Sequence, residues 1–69
     1  MEPAEIARLQ AYLRKTFNTP TIRVVPRGNK SDSVEVNIGD EFVGVLFRDD
    51  EDGETSYDFH MTILEIDLE

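Results

Sequence analysis

The sequence predicts an α+β domain in which one N-terminal helix packs on a four-stranded antiparallel meander. Three observations lead there. Ile6, Leu9, Leu13 and Phe17 recur at helical spacing and put one apolar stripe on one side of a helix. Beyond Pro20 the period falls to two, in Val34, Val36, Ile38, then Val43, Val45, Phe47, then Tyr57, Phe59, Met61. That alternation marks strands with one buried face. Glycine-bearing breaks separate the runs.

The helix is expected over about residues 3–17. Pro3 suits the first turn, where its missing N–H costs nothing. Glu2 and Glu5 sit near the positive end of the helix dipole, and Arg14 and Lys15 near the negative end. Asn18, Thr19 and Pro20 stop it, because proline disfavours helical geometry in the residue before it. Tyr12 lies beside the stripe and is expected to pack at its edge.

The first strand is expected over about 21–26 and ends at Pro26, which has no N–H for a ladder. A loop rich in Gly, Asn and Ser leads to the second strand, about 33–38. Gly39-Asp40 then forms a two-residue hairpin turn to the third strand, about 41–48. Plain counting from that turn pairs Ile38 with Glu41, Val36 with Val43 and Val34 with Val45. Val43, Val45 and Phe47 then share the helix-covered face, and Phe42 and Leu46 fall on the outer one. The fourth strand is expected over about 55–65. Keeping Phe59 and Met61 on the same face as Phe47 requires an odd-length loop or a bulge near Asp49–Glu54. Phe47 would face Phe59, and a Leu46–Phe59 pair would contradict this register. The alternation changes phase at Ile63-Leu64, so the strand either carries a bulge there or ends and turns over the sheet edge.

Sixty-nine residues make a single domain, residues 1–69, with a thin core. A deep catalytic cleft is hard to build in one such copy, and a non-enzymatic protein is expected. There is no cysteine, so no disulfide or thiolate metal site. No apolar run approaches the roughly 20 residues of a membrane span. No signal-peptide pattern is found, and a cytoplasmic protein is the expectation.

The net charge of −8 is unevenly spread. Residues 1–33 hold six Lys and Arg against three acids, whereas residues 34–69 hold Arg48 alone against twelve. The acidic half repels nucleic acid and anionic lipid. Arg14, Lys15, Arg23, Arg27 and Lys30 could form a small anion or RNA patch, but no aromatic platform or phosphate loop accompanies them. Charge runs are more often solvated faces.

The acidic stretch Asp49–Glu54 invites a calcium reading. Setting Gly53 at the sixth position of an EF-hand loop puts Arg48 at the first and Phe59 at the twelfth, and neither supplies an oxygen ligand there. An acidic hairpin that keeps the sheet soluble is the better reading, and neither metal nor cofactor is expected. His60, the single histidine, shares the outer face with Asp58 and Thr62 and reads as a surface residue.

Phe42 and Leu46 are the better pointers to partners. One helix leaves apolar residues and a strand edge uncovered, which favours a protein partner or a homodimer through the sheet face or edge.

Leu9-Gln10-Ala11-Tyr12-Leu13, Ile22-Arg23-Val24-Val25-Pro26-Arg27 and the run from Val34 to Glu54 (VEVNIGDEFVGVLFRDDEDGE) resemble a small bacterial family, domain of unknown function 3126. The similarity spans nearly the whole chain, including Phe59-His60-Met61. It implies a short, stand-alone cytoplasmic protein and carries over no activity, cofactor or catalytic residue. A protein-interaction module is the first functional expectation; a nucleic-acid or anion-binding module using the basic residues above is the second.

Overall fold

The computed structural model describes residues 1–29 and 32–69, with every side chain among them except that of Asp52. Helix α1 spans Pro3–Thr16, and strands β1 Ile22–Pro26, β2 Ser33–Ile38, β3 Glu41–Asp49 and β4 Ser56–His60 follow. They form one antiparallel sheet in the order β1-β2-β3-β4. Short 3₁₀ turns at Glu51–Gly53 and Glu65–Leu68 complete the chain. The expected helix-plus-meander architecture is the observed one.

Helix α1 starts at proline and ends in a Schellman-type cap. Thr19 N–H donates to the Arg14 carbonyl at 2.9 Å and Asn18 N–H to the Lys15 carbonyl at 3.3 Å. Asn18 takes the left-handed conformation this cap needs, with φ of 52°. Gly39, at φ 61°, provides the positive φ of the two-residue turn joining Ile38 to Glu41.

Beyond that turn the register departs from plain counting. Asn37 pairs with Phe42, but Val36 pairs with Gly44 and Val34 with Leu46, so Val43 is an extra residue in β3. This β-bulge reverses the facing of everything after it in β3. Leu46 joins Val34 and Val36 on the helix face, while Val45 and Phe47 turn to the outer face. The β3–β4 hairpin then needs no odd-length loop. Leu46 pairs with Phe59 and Arg48 with Tyr57, which overturns the expected Phe47–Phe59 pairing. The register device is therefore the bulge at Val43, not the acidic turn.

The core consists of Leu13, Ile22, Val24, Val34, Val36 and Leu46, with Ile6, Leu9, Val43 and Tyr57 packed at its margin. Phe17 and Tyr12 are more than half exposed, so the C-terminal end of the apolar stripe leaves the sheet. β4 stops at His60, shorter than the expected 55–65; its last pair, Val45–His60, lies just short of the bulge at Val43. The segment after it is not a strand, which resolves the phase change at Ile63-Leu64 in favour of strand termination.

Helix α1 lies against β1 more than against the rest of the sheet, and two of its side chains satisfy the backbone of that strand. Gln10 Oε1 accepts from Val24 N–H at 3.0 Å, and Arg14 Nε donates to the Ile22 carbonyl at 2.7 Å. These are polar groups that an edge strand would otherwise present to another chain. Among the described residues no side chain bonds the outer edge of β4 in this way.

Candidate binding groove

A helix with its side chains is about 10–12 Å across, and strands lie about 4.8 Å apart. One helix set over β1 and β2 therefore cannot cover β3 and β4. The uncovered half of the inner face is a groove of about 730 Å³. Leu9, Tyr12, Leu13 and Phe17 form its helix wall, and Leu46, Tyr57 and Phe59 its sheet wall, with Arg8 and Thr16 on the rim. Its volume falls in the range of about 300–1,000 Å³ typical of ligand sites.

One end of the groove is closed by a polar cluster that ties α1 to β3 and β4. Arg48 Nη1 donates to both Glu5 carboxylate oxygens, at 2.9 and 3.2 Å, and the Tyr57 hydroxyl donates to Glu5 Oε2. Arg48 Nε lies 3.2 Å from Asp50 Oδ2, an ion pair without hydrogen-bond alignment. The hydroxyl of Tyr57 and then the guanidinium of Arg48 hold the Glu5 carboxyl below its ordinary range, against an opposing push from burial. The same hydrogen bond raises the Tyr57 phenol, and Glu5 raises Arg48.

The pH consequences follow in sign. A depressed carboxyl contributes stability that is complete above its unfolded value, near 4.5, and lost as pH falls through the lower folded value. A raised phenol contributes stability that is complete below 10 and lost as pH rises through the higher folded value. Urea midpoints measured against pH should thus form a plateau falling at both ends. Glu5→Gln should flatten the acid limb. Tyr57→Phe should flatten the alkaline limb and move the Glu5 carboxyl upward in a carbon-detected NMR titration. An unchanged Glu5 titration in Tyr57→Phe would show that the hydroxyl is not its main partner.

The residues singled out from sequence do not converge. Leu46 is not on the outer face: it is 3% exposed and forms the groove floor. Phe42 does lie on the outer face, more than half exposed, beside a shallower hollow with Val45, Phe47 and His60. The basic residues are dispersed. Arg14 is engaged at the β1 edge, and Lys15 is exposed on α1. Arg23 is exposed on the outer side of β1, and Arg27 donates to Ser33 Oγ at 3.2 Å. Lys30 lies outside the described residues.

His60 is on the outer face as expected, its ring edge-on to Phe47 at 5.1 Å. In the acidic turn Asp49 Oδ1 accepts from Glu51 N–H and Asp50 Oδ1 from Thr55, both at 2.9 Å. Among the described residues no group of three or more His, Asp or Glu converges to hold a metal ion. No helix among them is long and apolar enough to cross a membrane.

Fold and groove together define a small α+β domain in which one helix half-covers a four-stranded meander and leaves an apolar cleft beside an open strand edge. Residues 5–67 match the family described as Protein of unknown function (DUF3126), and the chain belongs to that family. A search of curated proteins and of solved structures gives no match.

Proposed function

We propose that this protein is a non-enzymatic interaction module whose groove between α1 and β4 receives an apolar segment of a protein partner. The observation that carries the reading is the open half of the inner face. Tyr12, Phe17 and Phe59 are 64%, 53% and 38% exposed around a buried leucine floor, and an exposed apolar patch of this kind marks an interaction surface. Tyrosine and phenylalanine are also the residue types enriched where partners anchor. The Glu5–Arg48–Tyr57 cluster fixes the separation of helix and sheet, so the cleft is preformed and little ordering is needed on binding.

A photo-crosslinking amino acid at position 12, on the groove wall, tests this in the native cell. Protein adducts are expected from position 12 and not from position 35, on the outer side of β2. Adducts from position 35 alone, or from neither, would refute the groove as the binding surface.

A further inference from the structure

We propose that the occupant of the groove is a second copy of this chain, which inserts residues 61–68 and receives the same segment in return. The inference rests on the groove being a binding surface, and it names the partner.

Exposure, spacing, charge and placement support it. Met61, Ile63, Leu64, Ile66 and Leu68 are each more than half exposed, and Ile66 and Leu68 reach 71% and 75%. The chain thus carries both an uncovered apolar cleft and an uncovered apolar segment. Met61, Leu64 and Leu68 are spaced +3 and +4, so winding into an α-helix on docking would bring them to one face. In the free chain only Glu65–Leu68 is wound, as a 3₁₀ turn, and Leu64 before it is extended.

Charge matches as well. Glu65, Asp67 and Glu69 alternate with the apolar residues of the segment. The groove rim and the exposed side of α1 present Arg8 and Lys15. Glu5, the acid at the groove, is already paired with Arg48. Opposite charge across such a contact sets orientation and encounter rate.

The segment is poorly placed to fill its own groove. Met61, Thr62 and Asp67 lie beside Phe42, Val45 and Phe47 on the outer face, whereas the groove opens on the helix face. Segment and groove both adjoin β4 but on opposite faces of the sheet, so a two-fold exchange has each segment swing around the β4 edge into the partner's groove. Groove lining and segment together bring each copy near the roughly 20 residues a side of a standard interface.

Sedimentation equilibrium of the full chain, over a range of concentrations, should show a monomer–dimer equilibrium. Leu64→Asp with Leu68→Asp alters only exposed positions, so the monomer stays folded by circular dichroism. The dimer dissociation constant should rise at least about tenfold, as on loss of a buried anchor. Tyr12→Asp should act likewise from the groove side. Mixing the two variants restores one intact groove and one intact segment, and should recover a heterodimer that neither forms alone. The crosslinker at position 12 should map to residues 61–69 of another copy. A chain that stays monomeric, or a dimer unaffected by both variants, overturns the proposal. If position 12 instead captures a different protein, the second copy is ruled out while the groove reading stands. If it captures nothing, both fall.

Discussion

Leu46→Ala is expected to leave this domain largely unfolded at room temperature. Leu46 is 3% exposed and sits where β3 meets the helix, in one cluster with Leu13, Val34 and Val36. Truncating a buried leucine to alanine costs about 2–5 kcal/mol, from lost transfer energy and the void left behind. A core in a chain this short rarely supplies more than about 3–5 kcal/mol in total. Loss and supply are thus of the same size. Urea titration should show the folded baseline shortened or absent, with the slope of any remaining transition unchanged. A midpoint close to the parent's would mean that Leu46 is not packed in the core with Leu13, Val34 and Val36. That would return it to the outer face, where plain strand counting places it.

Gly44→Ala should be nearly as damaging, against the usual direction. Replacing a strand glycine commonly stabilises by about 0.4–1 kcal/mol, because the unfolded chain loses freedom. Here an added Cβ would lie 2.5 Å from the Phe59 ring and 2.5 Å from the His60 carbonyl oxygen. The ring can rotate away, but the carbonyl belongs to the backbone of the paired strand. Overpacking of this kind costs about 1–3 kcal/mol. The Val45–His60 pair should open first, seen as faster amide exchange at the end of β4 with β1 and β2 protected as before. Gly44→Ala combined with Phe59→Leu relieves the ring contact alone, so its midpoint should recover only in part. A gain in stability from Gly44→Ala would contradict the close approach of β4.

The helix, its stop at Asn18 and the Gly39-Asp40 turn were legible because each is written in local chemistry. Period, proline and capping residues act within a few positions of where they stand. The register after Val36 was not legible by alternation. Val43, Val45 and Phe47 alternate without fault, and nothing in that parity reveals that Val43 has no partner. The signal lay in Gly44, since a lone glycine within a strand marks a bulge or a close backbone approach. Both occur there: the bulge lies one residue before it and the Phe59 ring rests against it.

The same slip hid the candidate site, because moving Leu46 to the outer face removes the floor of the groove. The groove itself could have been anticipated from widths alone, as four strands are broader than one helix. Which strands stay bare could not. That depends on Gln10 and Arg14 reaching the β1 backbone, contacts made 14 and 8 residues away along the chain.

Those two contacts also oppose strand addition at the β1 edge. A sheet with two free edges can recruit copies without end, and the product is a fibre. In this chain the Val24 amide and the Ile22 carbonyl of the first strand are already spoken for by the helix, so an incoming strand would have to displace them. An edge engaged in this way resists the strand-by-strand growth that makes fibres. Gln10 and Arg14 are in this sense stoppers. A chain lacking them would be the one prone to polymerise.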